Sequence, residues 1–286
     1  MSTYPAATEA FLQETRPAEP NTVPQHPLDR SLDLFFLNTA EHFILMLPEQ
    51  TTEELLVSSA SPYLAAGGNA HLLPIFEAAH SVMLASFSAP QNASLTSKHL
   101  PFYVDALFQV FPGNVSAGQF RLAFKTLMRL TTPPATLSVS QPLLSATLLE
   151  LLHERALRAP TMPLPYDDST VPPEMRERPL SEQAVITITI IDTLTQLPLH
   201  LLEEWLPLTA ELVQQIGDVD GREHCKEHFW TTMMNGEMDP DRSQLCAGWW
   251  NTGGGREMLL FGSNASPSQE YEMSGALPTY ESTSKL

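Results

Sequence analysis

The feature that most constrains this fold is the recurrence of large apolar residues at three- and four-residue steps. In the segment around residue 76, for example, such residues are Leu72, Phe76, Ala79 and Met83. This spacing places them on one face of an α-helix. The chain holds 25 prolines, which gather between the periodic segments and mark corners. The sequence therefore predicts an all-α protein.

Capping residues predict where several helices begin. Asn69 and Asp239 each precede a periodic segment, and Ser116 with Gln119 matches a capping box. Thr51 is interpreted in the same way as the cap of a short helix that has glutamates in its first turn. The β-branched run 185–191 could form a strand, but its helical neighbours favour a helix because a lone strand would have no partner.

Composition divides the chain into five segments. We expect a disordered N-terminal segment (1–27), an N-terminal helical block (28–158), a Pro-rich linker or long loop (159–180), a C-terminal helical block (181–261) and a flexible tail (262–286). Helix pairs of about 35–45 residues are typical of α-solenoids of the HEAT or armadillo type. This spacing favours a solenoid-like array of helical pairs, although a compact all-α bundle fits the same pattern.

Charge and apolar run length limit the partners. The net charge is −18, of which −13 falls in residues 160–286. Such acidity argues against nucleic acid and anionic lipid as partners and favours a basic protein. The most apolar stretches, residues 32–47 and 184–208, are interrupted by charged residues, so we expect any membrane association to be peripheral.

One short segment holds residues that could bind a metal. His224 and His228 are four residues apart and would share a helix face, with Cys225 beside them and Cys246 downstream. The segment contains neither CxxC nor HExxH, and Cys225 would point away from the two histidines. We therefore interpret these residues as a surface histidine pair beside a half-buried thiol, and expect no metal or other cofactor.

The tryptophans are candidates for a partner surface, and no motif suggests catalysis. Trp205, Trp249 and Trp250 lie in the acidic C-terminal part of the chain. The glycine run at 253–255 lacks the ending of a phosphate-binding loop, so we predict a helix-ending turn there. Because no nucleophile motif or dinucleotide fingerprint is present, the sequence favours a protein that is not an enzyme.

The last three residues are the most specific motif. Ser284, Lys285 and Leu286 form the small–basic–aliphatic tripeptide that a peroxisomal import receptor recognises together with the free carboxylate. The motif predicts delivery to the peroxisome and binding of a TPR-type targeting-signal receptor. The motif indicates the destination of the protein and not its activity, so it fits a matrix enzyme as well as a component of the import machinery.

Several segments resemble the filamentous-fungal form of the peroxin-8 family. They are HPLDRSLDLFFLN (26–38), PIFEAAHS (74–81), QFRLAFKTL (119–127), LLEEWLPL (201–208), NGEMDP (235–240), WWNTGGGRE (249–257) and the terminal SKL (284–286). The resemblance implies a scaffold on the matrix side of the peroxisomal membrane, peripherally attached, that links the receptor-docking complex to the RING complex. It also implies a part in matrix-protein import and cargo release. A soluble peroxisomal matrix enzyme is the alternative.

Overall fold

The structure, a computed structural model, describes residues 5–67, 69–165 and 179–262. Within these ranges the chain is built from α-helices with short 3₁₀ and π segments. The β-type pairing there is an isolated bridge between Pro163 and Ser181. The all-α prediction is confirmed.

The helices before the proline-rich segment at 159–180 form the first part of the array. They are α1 (Pro5–Thr15), α2 (Pro27–Ala40), α3 (Glu49–Thr51), α4 (Ser58–Ala65), α5 (Leu73–Ser88), α6 (Ala93–Val110), α7 (Ala117–Thr131), α8 (Thr136–Ser140) and α9 (Leu144–Arg158). A π-helical stretch, Thr52–Val57, joins α3 to α4, so residues 49–65 form one continuous helical rod. Helix α5 packs against α2, α4, α6 and α7 and lies at the centre of this part.

The remaining helices surround α10. They are α10 (Glu182–Thr193), α11 (Leu199–Gln214), α12 (Val219–Met234), α13 (Pro240–Thr252) and α14 (Gly255–Phe261). Helix α10 packs against α7, α9, α11 and α12, and nearly all its residues are buried. A helix that is apolar on every side is stable only when it is enclosed. The β-branched run 185–191 lies within α10, so the predicted helix is confirmed.

Buried threonines within α10 satisfy their hydroxyl groups inside the helix. Thr187 donates to the carbonyl of Gln183, and Thr189 donates to that of Val185, each at 2.8 Å. Both threonine side chains are fully buried, so an unpaired hydroxyl would be costly. These local bonds explain how a run rich in threonine and isoleucine can form the central helix.

Helix α10 also connects the two helical blocks that composition suggests. Helices α7 and α9 belong to the segment 28–158, and α10 belongs to 181–261, yet they pack directly on one another. The buried apolar residues of both segments form one continuous cluster. The division into blocks stays a prediction about chain organisation, and the core crosses it.

Three of the predicted helix caps are confirmed. Ser116 Oγ accepts from the Gln119 amide at 3.2 Å, and Gln119 Oε1 accepts from the Ser116 amide at 2.9 Å. Asn69 Oδ1 accepts from the His71 amide at 3.0 Å. Asp239 Oδ1 accepts from the Arg242 amide at 2.9 Å. These side chains satisfy backbone donors that the first helical turn leaves without partners.

Within segment 1–27, for which the composition predicted disorder, residues 5–15 form a helix. Helix α1 occupies Pro5–Thr15 and buries Leu12 completely against the core. Thr51 Oγ1 donates to Glu9 Oε1 at 3.1 Å, which fixes α1 to the helical rod. Thr51 is therefore not the predicted cap, because the helix begins at Glu49. The few apolar residues of α1 suffice because neighbouring helices provide the rest of the core.

Within the described ranges, one helical segment, Ala70–Ser88, is long and apolar enough to cross a membrane by length and composition. Neither of the two stretches that the sequence suggested passes the same test among the described residues. More than half of the segment is buried inside the protein. Its α5 portion contacts four other helices, which is the environment of a core helix.

Candidate binding surface

Two indole rings lie side by side where α12 meets α13. Trp230, near the end of α12, is 41% exposed, and Trp250 on α13 is partly buried. Their ring centroids are 4.8 Å apart, with an angle of 48° between the ring planes. We call these two residues the ring pair. Tryptophan is enriched where protein surfaces bind partners, since one rigid side chain supplies a large contact area.

A groove of about 750 Å³ opens on one side of the ring pair. Its apolar wall consists of the ring pair with Leu180, Leu259 and Leu260. Its rim is acidic: the carboxylates are those of Asp218, Asp220, Glu223 and Glu227, beside His224 and one lysine, Lys226. We call this feature the acidic groove.

The lysine of the acidic groove is already engaged. Lys226 Nζ lies 2.9 Å from Glu223 Oε1 and donates to the Leu260 carbonyl at 3.2 Å. Its side chain is only 13% exposed, so the charge that it presents to solvent is small. Asp218 Oδ2 accepts from the Gly221 amide at 2.7 Å and caps α12. Among the described lining residues, the carboxylates therefore outnumber the lysine, and this part of the groove is acidic.

A second cavity, of about 460 Å³, opens on the other side of the ring pair. Its lining includes Met233, Met234, Cys246 and Ala247, and Met234 is 64% exposed. Flexible methionine side chains adapt to differently shaped apolar partners. We call this cavity the methionine pocket. The ring pair lines both cavities, so they form one continuous apolar surface.

The three tryptophans predicted to form a partner surface differ in how deeply the structure buries them. Trp205 is wrong as a surface residue: it is 2% exposed and packs in the core, with its ring edge-on to His153. Trp249 is partly buried against Phe229, with ring centroids 5.7 Å apart. Only Trp250 joins the exposed surface, and its neighbour there, Trp230, was not predicted.

The glycine run at 253–255 forms the turn between α13 and α14, as predicted. Gly254 has a φ of +75°, which side chains with a Cβ rarely adopt. A Cβ at Gly255 would lie within 2.6 Å of the Trp249 ring, so this glycine allows the ring to pack against the backbone. Packing explains the run, and a phosphate is not required.

The three metal candidates are directed to different places. Cys225 Sγ is fully buried and lies 3.7 Å from the carbonyl of Ala184 on α10. Burial raises the pKa of this thiol to about 12. His224 lines the acidic groove, whereas His228 contacts Asp192. Among the described residues, no group of three or more potential ligands is close enough to hold a metal ion.

A polar network that sequence spacing could not reveal connects three helices. Asp192 on α10 accepts from Arg121 Nε at 2.7 Å and from Arg121 Nη2 at 3.2 Å. His228 Nε2 on α12 lies 2.7 Å from Asp192 Oδ1. Burial alone would raise the pKa of Asp192, but the hydrogen bonds from His228 and Arg121 hold it below its usual value. We call these three residues the Asp192 network.

A second apolar surface lies on α2. Leu28, Leu32 and Phe35 are each 57–60% exposed and lie at steps of four and three residues on one helix face. The opposite face buries Phe36 and Leu37. We call this surface the α2 stripe.

The ring pair and the α2 stripe lie apart in the fold, and the predicted targeting signal is not described by the structure. The targeting tripeptide, Ser284, Lys285 and Leu286, lies outside the described residues. The α2 stripe and the ring pair belong to different parts of the array. Helix α2 packs on α1, α4 and α5, whereas α12 and α13 pack on α10 and α11.

Comparison with known protein families identifies the chain. A model of the PEX8 C-terminal domain matches residues 95–255, more than half of the chain, and a model of the PEX8 central TPR-like domain matches residues 8–88. The chain belongs to the peroxin-8 family. The family resemblance that the sequence suggested is confirmed, and the TPR-like domain agrees with the solenoid-like array of helices. Peroxin-8 proteins are peroxisome biogenesis factors.

Two curated relatives are similar over most of the chain. The peroxisomal membrane protein PEX17 of Yarrowia lipolytica is 27% identical over 78% of this chain and 35% of its own length. Peroxisomal biogenesis factor 8 of Pichia angusta is 24% identical over 78% of this chain and 34% of its own length. The chain thus spans about a third of the length of these relatives. No solved structure matches it.

The two peroxin-8 domain models meet inside the folded core. The first begins within α1 and ends with α5, and the second begins within α6 and ends at the start of α14. Helix α5 packs on both α6 and α7, across the boundary between the two models. The ring pair, the acidic groove and the Asp192 network all depend on residues within the second model.

Proposed function

We propose that this peroxin-8 family member is a non-enzymatic scaffold of peroxisomal protein import. It acts on the matrix side of the membrane, is attached peripherally, and links the receptor-docking complex to the RING complex. In this role it assists the import of matrix proteins and the release of cargo from the targeting-signal receptor.

The observation that carries the proposal is family membership together with two separate exposed apolar surfaces. The ring pair and the α2 stripe lie on different helices of one helical array. Exposed apolar clusters of this kind commonly mark binding sites for proteins. A protein that links two complexes needs at least two such sites, and a helical array can present both.

The residues that could perform chemistry support a role without catalysis. The Cys225 thiol has a raised pKa, which disfavours the reactive thiolate. The carboxylate of Asp192 binds Arg121 as well as His228. This arrangement is that of a structural ion pair, and it does not indicate that His228 acts as a catalytic base. His80 is buried against Tyr103, and burial lowers its pKa to about 4.

The terminal tripeptide supports an interaction with a TPR-type targeting-signal receptor. Ser284, Lys285 and Leu286 provide the small, basic and aliphatic side chains that such a receptor recognises. The receptor would deliver this protein to the peroxisome. The proposal then places the protein in the cycle of the receptor that imported it.

The test is a deletion strain that carries a fluorescent reporter ending in Ser-Lys-Leu. We expect the reporter to remain in the cytosol, and the intact gene to restore import. Purification of the tagged protein from peroxisomal membranes should recover docking and RING components. Normal import of the reporter in the deletion strain would contradict the proposal, and the loss of one metabolic step alone would favour a matrix enzyme.

A point variant tests the contribution of the tripeptide. Leu286→Asp places a charge where the receptor requires an aliphatic side chain, so it should reduce delivery of the protein itself. Thr283→Ala, just before the tripeptide, is the matched control and should be delivered normally. Equal delivery of both variants would show that the tripeptide does not act as the address.

A further inference from the structure

The outward face of α12 changes from acidic to apolar along the helix. Asp220, Glu223 and Glu227 are exposed and are followed on the same face by Trp230 and Met234. The steps between them are three and four residues, so these five side chains form one stripe. The stripe leads from the rim of the acidic groove, over the ring pair, into the methionine pocket.

The fold itself does not require this pattern. Helix α12 is anchored to the core by its other face, through Cys225 and Phe229. Carboxylates are favourable at the start of a helix, which accounts for Asp220 but not for Glu227, two turns further on. Trp230 is 41% exposed and Met234 is 64% exposed, so both keep a large part of their apolar surface in contact with water.

We propose that the acidic groove and the ring pair bind a basic amphipathic helix of a partner protein. Large apolar side chains of that helix would fill the groove and the methionine pocket on either side of the ring pair. Its lysine or arginine residues would face Asp220, Glu223 and Glu227. The proposal deepens the scaffold function, on which it rests for its biological role, by naming the chemistry of one partner.

Charge complementarity favours a basic helix over an acidic helix, an anionic membrane or a second copy of this chain. Among the described residues that line the groove, four carry carboxylates and one is a lysine, Lys226, which is paired with Glu223. An acidic helix or an anionic membrane would therefore be repelled. A second copy of this chain would bring the same acidic stripe against itself, because the stripe would meet its symmetry mate in a twofold dimer. A basic helix satisfies both the apolar wall and the acidic rim.

The orientation of the bound helix also follows from the stripe. The acidic residues lie toward the start of α12 and the apolar ones toward its end. The basic residues of the partner should therefore be concentrated at one end of its apolar face. A helix with basic residues spread evenly along its length should bind less well than one with the same charge at one end.

The probes are two synthetic amphipathic peptides of about 18 residues with the same apolar face. One carries lysines beside that face, and the other carries glutamates at the same positions. Binding to the purified protein is measured by titration calorimetry and by tryptophan fluorescence. We expect the basic peptide to bind and to weaken as salt rises, and the acidic peptide not to bind.

Matched variants separate the charge from the apolar contact. Glu223→Gln with Glu227→Gln should weaken binding of the basic peptide about tenfold, which corresponds to about 1.4 kcal/mol. Glu203→Gln with Glu204→Gln alters two exposed glutamates on α11 and should leave binding unchanged. Trp230→Ala should reduce binding by at least tenfold, and its circular dichroism checks that the fold is kept.

Several outcomes would overturn the inference. They are equal binding of the two peptides, no binding of the basic peptide, or no effect of the glutamate variants. Self-association abolished by Trp230→Ala would instead identify a second copy as the occupant. Binding to phosphatidylserine vesicles that depends on Trp230 would identify a membrane.

The groove and the proposed function can fail separately. The peptide titration does not depend on import, so absence of binding would reject the groove while leaving the scaffold role intact. Conversely, normal import in the deletion strain would reject the scaffold role even if the basic peptide bound. A strain carrying Glu223→Gln with Glu227→Gln would show whether the groove takes part in import.

Discussion

Replacing Asp192 with asparagine should weaken the contact that holds helices α7, α10 and α12 together. Asp192 on α10 binds Arg121 on α7 through two hydrogen bonds and His228 on α12 through a third. Its side chain is 13% exposed, so the carboxylate depends on these partners for its stabilisation. Asparagine has nearly the same shape, so Asp192→Asn removes the charge without creating a cavity.

The magnitude follows from the number and environment of these bonds. A hydrogen bond to a charged group contributes about 1.5–3 kcal/mol, and a buried charge left without its partner costs several kcal/mol. Arg121 is 35% exposed, so water can partly replace the lost carboxylate. The asparagine oxygen can still accept one bond, while its NH₂ group would face another donor. We therefore expect the free energy of unfolding to fall by about 2–3 kcal/mol.

The assay is urea unfolding followed by circular dichroism at pH 7. Asp105→Asn is the matched control, since Asp105 is exposed on α6 and accepts a bond from nearby Gln109. We expect the control to change stability by less than about 0.5 kcal/mol. If Asp192→Asn behaves like the control, the three-helix contact contributes little and the reasoning is refuted.

The pH dependence provides a second check. The pKa of Asp192 is lower in the folded protein than its ordinary value. The carboxylate therefore adds stability above the unfolded pKa of about 3.9, and this contribution is lost as the pH falls through the lower folded pKa. The difference between wild type and Asp192→Asn should be fully present near pH 5 and shrink below about pH 4. A difference that stays constant below pH 4 would contradict the assignment.

Three further predictions concern the core. All four tryptophans lie after residue 204, so their fluorescence reports on the C-terminal helical block, whereas circular dichroism reports on all helices. If the two blocks share one core, the unfolding transitions measured by the two methods should coincide. Separate transitions would contradict a shared core. Trp205→Ala should lower the free energy of unfolding by about 3–5 kcal/mol in the same urea assay, and Trp230→Ala by less than about 1 kcal/mol. Burial raises the pKa of Cys225 to about 12 and that of Cys246 to about 11, so neither thiol should react with Ellman's reagent at pH 8 until urea unfolds the protein.

Local features of this fold could be predicted because neighbouring residues determine them. The capping box at Ser116 and Gln119 acts over three residues, and the apolar period of α5 acts over a few turns. The helix assignment of 185–191 was correct because the surrounding pattern outweighed β-propensity. Its burial on every side, against α7 and α9 as well as α11 and α12, shows why isoleucine and threonine suit that position.

Features that depend on distant residues could not be predicted in this way. Arg121, Asp192 and His228 lie far apart in the sequence, and each is an ordinary polar residue on its own helix. Trp205 and Trp250 are the same residue type, yet the first packs in the core and the second forms the ring pair with Trp230. Only the rotation of each helix against its neighbours decides between these outcomes, and a single sequence does not record that rotation.

The proposed partners account for the exposed apolar surfaces. Helices α2 and α12 each fix themselves to the core with one face, through Phe36 and Leu37 or through Cys225 and Phe229. One apolar face is enough to hold a helix in place, so the fold does not require exposed apolar residues on the other face. They cost solubility until a partner covers them. Because one continuous core joins α2 to α12, partners on these two faces would be connected through the protein, as a scaffold between two complexes requires.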